Sequence, residues 1–256
     1  MGILNLTPDS FSDKSGFKSI DFLLKRIEKM INDGMDILDI GGESTKPGYI
    51  KISDQEEIER VIPKIEIIKR NFEIPISLDT YKFKVAKEGI KVGVNFINDI
   101  WGLKYDKGEM AHLIAKNNLP CCLMHNRRDI NYNNFFEDVI SDMKETLNIA
   151  LKSGISREKI IIDPGIGFAK TYENNLDIIN HLDIFRSRLG QPVLLGASKK
   201  SVIGQALSLP ISERMEGTIA TTVIGVIKGA SIIRVHDIKE NARAIKMTKA
   251  IIDKNK

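Results

Sequence analysis

The chain is 256 residues long, 42% hydrophobic and 28% charged, with a net charge of +4 at pH 7. That is the composition of a folded globular protein rather than a disordered one, and the scattered basic residues form no stripe for a nucleic acid or membrane surface, although the sign suits a small anionic substrate. Apolar runs fall far short of the roughly 20 residues of a bilayer span, and the start turns polar at Thr7-Pro8-Asp9 without a basic leader or cleavage pattern, so a cytoplasmic protein is expected.

Met1–Leu6 reads as a first strand, followed by a polar loop over Thr7–Gly16. Ser19 starts a helix whose Leu23, Leu24, Ile27, Met30 and Ile31 keep helical spacing, closed by Gly34. A second strand is expected at Met35–Ile40 and a second loop at Gly41–Ile52. Ser53 and Glu56 form a capping box for a helix that Pro63 should kink or divide. Strands follow at Ile74–Leu78, Val94–Ile97, Pro120–Met124, Ile160–Ile162, Val193–Gly196 and Ser231–Val235. Helical segments separate them near Lys82–Val92, Glu109–Asn117, Phe135–Ser153, Asn175–Leu189 and Glu213–Lys228, with a last one at Glu240–Ile252.

Strand and helix alternate eight times with no linker and no break in composition, which predicts one α/β domain, a (βα)8 TIM barrel over residues 1–256. A doubly wound open sheet is the alternative, but no GxGxxG follows the first strand. Closure into a barrel would bring the strand ends Asn5, Asp39, Asp79, Asn98, His125, Asp163, Ser198 and His236 to one mouth. The stretch IIIDPGIGFAK (Ile160–Lys170) is the most informative, because a buried strand there delivers Asp163 and is stopped at once by Pro164 and Gly165. Taken alone, a strand-end aspartate more often caps a helix or starts a turn. His112 and His181, on helical segments, read as surface or packing residues. The adjacent cysteines Cys121 and Cys122 point to opposite faces of a strand, which argues against a disulfide or a zinc site.

MGILNLTPDSFSD (Met1–Asp13), DIGGESTKPGY (Asp39–Tyr49), SLDTYK (Ser77–Lys82), NFINDIWG (Asn95–Gly102), LMHN (Leu123–Asn126), DPGIGFAKT (Asp163–Thr171), GASKKSVIG (Gly196–Gly204) and IIRVHD (Ile232–Asp237) occur in that order. The ordered set resembles dihydropteroate synthase from Met1 to the neighbourhood of Glu240. The resemblance implies a reaction of folate biosynthesis: 6-hydroxymethyl-7,8-dihydropterin pyrophosphate and p-aminobenzoate condense to 7,8-dihydropteroate and pyrophosphate, with Mg2+ required and sulfonamides as inhibitors. It further implies pterin contacts from Asp79, Asn98, Asp163, Lys200 and Arg234, and pyrophosphate contacts from Asn5, Thr45, Arg234 and His236, with Asn5 also at the metal. The p-aminobenzoate site would comprise Phe11, Lys46, Pro47, Phe168, Lys200 and Ser201. Asp13, Lys200, Arg234 and His236 would be the catalytic group, and the late helices would form a homodimer.

The residue chemistry agrees. A pterin presents a flat edge of N–H donors that a buried carboxylate accepts in a paired fashion, and Asn98 can both donate and accept. Arg234 and His236 stand two apart on one strand and so face one ligand, and a departing pyrophosphate needs cations where its charge develops. Two lysines depart from the family pattern, Lys46 and Lys199 standing where arginine is usual, which keeps charge but loses bidentate geometry. The first loop reads SDKSGF instead of a glycine pair, and a short hairpin that usually precedes the position of Met1 is not part of this sequence. The alternatives are a pterin-binding methyltransferase domain and a non-catalytic pterin-binding barrel. Phe11, Asp13, Lys46, Pro47 and the Arg234/His236 pair favour pyrophosphate chemistry over the first, and the intact set of polar strand ends argues against the second.

Overall fold

The computed structural model describes residues 1–6, 20–44 and 50–254. Among these residues are eight short strands: β1 (Gly2–Asn5), β2 (Leu38–Gly41), β3 (Ile76–Asp79), β4 (Phe96–Asp99), β5 (Cys121–Met124), β6 (Ile160–Asp163), β7 (Leu194–Leu195) and β8 (Ile232–Ile233). Strands β1 to β6 pair in parallel and in chain order, and β7 pairs with β8. Two parallel bridges, Ile162 to Val193 and Gly2 to Val235, join these sheets at both edges and close the ring. The chain is therefore a (βα)8 barrel, and its connections are helical as parallel strands require.

Around the ring run α1 (Ile20–Asn32), α2 (Asp54–Asn71), α3 (Phe83–Lys91), α4 (Glu109–Lys116), α5 (Phe135–Lys152), α6 (Tyr172–Asn180), α7 (Leu182–Leu189), α8 (Ser201–Leu207), α9 (Met215–Ile227) and α10 (Ile238–Asp253). Their apolar faces and the outer strand faces form the main core, which includes Leu4, Ile40, Leu78, Ile97 and Cys121. The barrel interior holds a separate apolar plug of Phe96, Cys122 and Leu194, backed by Met1, Ile161 and Ile232. Cys121 and Cys122 are thus free thiols on opposite strand faces, as strand alternation requires.

The strands begin later than their apolar runs. Met35 donates its N–H to Met30 O at 3.1 Å and Val94 to Gly89 O at 3.1 Å, so these residues finish the preceding helix rather than join the ladder. The same closure recurs from Leu119 to Ile114 O, Ile155 to Ala150 O and Ala230 to Gly225 O. This is the Schellman ending, in which an apolar residue packs back after a left-handed one. Strands β2, β3 and β6 in turn reach one residue further than their apolar runs suggest, and β4 two, carrying Asp79, Asp99 and Asp163 inside the ladder.

Pro63 does not divide α2, which runs unbroken from Asp54 to Asn71. The proline is exposed, so the carbonyl that lacks its N–H partner can turn to water. Of the capping box, the Ser53 half is made, with Glu56 N at 3.1 Å from Ser53 Oγ, while the Glu56 carboxylate pairs with Arg60. The single helix expected at Asn175–Leu189 is two helices broken at His181, whose ring takes the Asp177 carbonyl at 3.0 Å. The break lets Ile178 and Ile179, then Leu182 and Phe185, all reach the core.

A buried cluster secures the stems of the loop after β2. Lys82 Nζ lies 2.7 Å from Glu43 Oε2 and 2.8 Å from Glu57 Oε2, with all three side chains almost fully buried. Glu43 also accepts from Tyr81 Oη at 2.5 Å and Ile52 N at 2.9 Å, while Lys82 donates to Ile52 O at 2.9 Å. One ammonium thus ties both ends of the 44–51 segment to the end of β3. Burial raises the Glu57 carboxyl, and the two glutamates raise the Lys82 ammonium against its own burial. Removing one member of a buried charge cluster strands the others, so Lys82→Met is expected to cost about 3–5 kcal/mol in urea denaturation. The exposed pair Lys29 and Asp33 is the control, where Lys29→Ala should cost less than about 0.5 kcal/mol. Equal losses at the two sites would show that the cluster does not secure these stems.

Candidate active site

At the C-terminal ends of the strands lies a cavity of about 510 Å3 whose lining includes Asn5, Asp79, Phe168, Lys200, Arg234 and His236. They are delivered by five strand ends or the loops after them. Asn5 ends β1, Asp79 ends β3, and Arg234 and His236 follow β8. Ser198, Lys199 and Ser201, from the loop after β7 and the start of α8, complete that side of the lining.

Arg234 is the hub. Its Nε donates to Asp39 Oδ2 at 2.6 Å and its Nη2 to Asp79 Oδ2 at 2.5 Å. Asn98 Nδ2 reaches the same Asp39 oxygen at 3.4 Å. Burial works against the guanidinium charge, but Asp39 and Asp79 override it and raise the Arg234 pKa further. Burial pushes the Asp79 carboxyl up to about 7 even beside Arg234, since Asp39 adds a like charge.

Asp163 sits deeper, 6% exposed, and accepts the Gly165 amide on Oδ1 at 2.7 Å. Burial raises its pKa, opposed by Lys200, the Gly165 amide and Arg234. Gly165 is at φ +76°, and a Cβ there would stand 2.1 Å from His125 O, so the turn that bends toward the carboxylate admits no side chain. Lys200 donates to Ile166 O and lies 4.7 Å from the centre of the Phe168 ring, a cation–π contact. Burial lowers the Lys200 ammonium to about 8 against the attraction of Asp163.

His236 is oriented by its neighbour across the strands. Ser198 Oγ stands 2.9 Å from His236 Nδ1 and accepts the His236 amide at 3.2 Å. The hydroxyl thus holds both the backbone and the ring of His236 and sets where the imidazole points. Lys199 holds a left-handed backbone, φ 57°, at the same turn. Its amide donates to Thr218 Oγ1, its Nζ pairs with Asp237 at 2.9 Å, and Arg214 donates to both the Lys199 and Lys200 carbonyls. Strain at a non-glycine residue is thereby held in place from three sides.

The structure brings together Asn5, Asp79, Asn98, Asp163, Phe168, Lys200, Ser201, Arg234 and His236 of the expected set. Phe11, Asp13, Thr45, Lys46 and Pro47 lie outside the described residues. His125, expected at the mouth, is instead 3% exposed and bonded to Asp142 and Lys170 behind the Gly165 turn. Asp39 was legible only as one more strand end, although it anchors both Arg234 and Asn98. Ser198 was legible as a strand end at the mouth, though not as the partner of His236, and the role of Arg214 had no signal in the sequence.

The family described as "Pterin binding enzyme" matches residues 1–236. The dihydropteroate synthase of Clostridium beijerinckii is 57% identical over 253 residues, covering 98% of this chain and 93% of that protein. A crystal structure of the Clostridium difficile dihydropteroate synthase, obtained with pteroic acid, superposes with a TM-score of 0.94 at 46% identity, over 98% of this chain and 95% of that one. The Yersinia pestis enzyme, solved with a sulfonamide drug, gives a TM-score of 0.91 at 36% identity, over 98% and 93%. Matched along nearly its whole length and built on the same barrel, the chain belongs to the pterin-binding enzyme family and, within it, to the dihydropteroate synthases.

Proposed function

We propose that the strand-end cavity joins 6-hydroxymethyl-7,8-dihydropterin pyrophosphate to p-aminobenzoate, giving 7,8-dihydropteroate and pyrophosphate for folate biosynthesis, in a cytoplasmic enzyme. The observation that carries this reading is the convergence of a deeply buried carboxylate, Asp163, with the Arg234 and Lys200 cations over one cavity. Asp163, with Oδ1 fixed by Gly165, accepts the paired N–H donors of the pterin edge, and Asn98 and Asp79 meet the remaining ring atoms. The Lys200 ammonium and the Arg234 plane bracket the ring.

In the reaction the bond from the pterin methylene to oxygen breaks, and its electron pair leaves with pyrophosphate. The electron-rich dihydropterin supports the positive charge left behind. The arylamine nitrogen then forms the new C–N bond and loses a proton. Arg234 and His236 stabilise the leaving charge, while Thr45 adds a hydroxyl donor. Phe168, Lys200 and Ser201 form one wall of the p-aminobenzoate site, which Phe11, Lys46 and Pro47 complete, and Asp13 joins the catalytic group.

Mg2+ fits this mouth as a companion of the pyrophosphate. No cluster of three or more His, Cys, Asp or Glu side chains suited to a metal exists among the described residues, whereas the Asn5 amide lines the cavity. Mg2+ retains waters and prefers phosphate oxygens, so one protein oxygen from Asn5 suffices. When bound, the ion supplies charge neutralisation at the departing pyrophosphate. A homodimer through the late helices agrees with exposed Ile224, Ile227, Met247 and Ile251 on α9 and α10.

Asp163→Ala is expected to weaken pterin binding by about 100-fold or more in calorimetry, because two charge-assisted hydrogen bonds disappear. Unchanged affinity in a folded variant would remove Asp163 from the pterin site. Arg234→Ala should lower kcat by about 100-fold or more, with Arg234→Lys intermediate because it keeps a point charge. Turnover should require pterin pyrophosphate, p-aminobenzoate and Mg2+ together; tight pterin binding without dihydropteroate release would overturn the synthase assignment for this chain.

A further inference from the structure

Behind the Gly165 turn lies a chain of titratable groups that the reaction above does not use. Arg127 Nε donates to Asp142 Oδ2 at 2.5 Å, and His125 Nε2 stands 3.0 Å from the same oxygen. His125 Nδ1 is 2.9 Å from Lys170 Nζ, which also donates to Phe168 O at 2.9 Å. Tyr132 closes the group by donating to Ala169 O at 2.8 Å.

With Lys170 charged, the donors and acceptors admit one solution. A carboxylate oxygen shared with Arg127 only accepts, so His125 Nε2 carries the proton. An ammonium only donates, so His125 Nδ1 accepts and the ring is neutral. Burial, the leading cause, lowers His125 to about 4, in keeping with this tautomer. Asp142 is held below the usual carboxylate range by His125 and Arg127 despite its burial.

Lys170 and Asp163 flank the same glycine. Gly165 N donates to Asp163 Oδ1 at 2.7 Å, and a methyl on Gly165 would meet Lys170 Nζ at 3.2 Å. We propose that Lys170 is a positioning residue: bonded to Phe168 O and to a neutral His125, it fixes the Gly165–Phe168 turn and keeps a positive charge behind Asp163 that favours the pterin-binding carboxylate form. The proposal rests on the assignment of Asp163 to the pterin. It gives Asp142 and His125 a place in the same line, as the groups that present a lone pair, and not a proton, to Lys170.

The charged groups facing Lys170 are Asp163, Lys200, Arg127 and Asp142, and burial lowers its own pKa to about 7. The ammonium is therefore complete on the acid side of neutrality. Burial raises the Asp163 pKa, opposed by Lys200, the Gly165 amide, Arg234 and Lys170. Losing the Lys170 charge thus raises the pH at which Asp163 takes up a proton, and with it the pH at which pterin affinity falls.

The test is calorimetry with 6-hydroxymethylpterin on the full chain, from about pH 5 to about pH 8. Lys170→Met should move the acid-side midpoint of pterin affinity upward by about half a pH unit or more, and Lys170→Arg should restore it. Tyr132→Phe, which loosens the turn without changing charge, should leave the midpoint in place. An unmoved midpoint in Lys170→Met, or the same shift in Tyr132→Phe, overturns the proposal. Should Lys170→Met not fold, 15N spectra of the native protein decide: His125 is expected neutral with its proton on Nε2 down to about pH 5, and protonation near the ordinary value of about 6.5 refutes the chain. Asp163→Ala separates the two readings. If it abolishes pterin binding while Lys170→Met leaves the midpoint alone, only the role of Lys170 falls; if it binds pterin normally, both fall.

Discussion

The ion pairs of Arg234 with Asp39 and Asp79 are the constraint on which the mouth of the barrel depends. They join β8 to β2 and β3 across 195 and 155 residues of sequence. An arginine at 18% side-chain exposure cannot stay unpaired without a cost of several kcal/mol, and neither can a fully buried Asp39. The three groups therefore hold one another in place, and Asn98 is drawn in through Asp39. Lys200 adds a cation to the same field.

The barrel divides its labour along its axis. Its interior is plugged by Phe96, Cys122 and Leu194, and the helices end at its lower face with apolar residues folded back onto them. That packing is dry, and it leaves the strand tips free to carry polar groups. The polar layer above is satisfied mostly by partners from other elements: Asp39 and Asp79 for Arg234, Ser198 for His236, Glu43 and Glu57 for Lys82. Buried polar groups at such density have to be hydrogen-bonded, and the bonds that satisfy them also fix where each side chain points. Rigidity and chemistry share the same contacts.

The loop after β6 connects the two. Its glycine at Gly165 admits no Cβ because the His125 carbonyl is in the way, and the turn built there sets Asp163 on one side and Phe168 on the other. Phe168 in turn meets Lys200 through its ring and Lys170 through its carbonyl. Two lysines of similar sequence appearance thus have different surroundings. Lys200 faces the cavity, and Lys170 faces the histidine behind it.

The sequence by itself determined the barrel, the order of its elements and most strand-end groups of the site, because alternating apolar runs and turn residues act over a few positions. Asp163, Asn98, Asp79, Arg234 and His236 were legible for that reason, each standing where a run stops. It misplaced the strand starts at Met35 and Val94, since an apolar residue that closes a helix looks the same as one that opens a strand. It could not place His125, whose strand end points at Asp142 and Lys170 rather than into the mouth. Nor could it foresee Asp39 as the anchor of Arg234, or Lys82 between Glu43 and Glu57. Such pairings depend on which side chains meet after closure, often more than a hundred residues apart, and no local periodicity encodes them; only the tertiary structure decides them, by requiring every buried charge to find a partner.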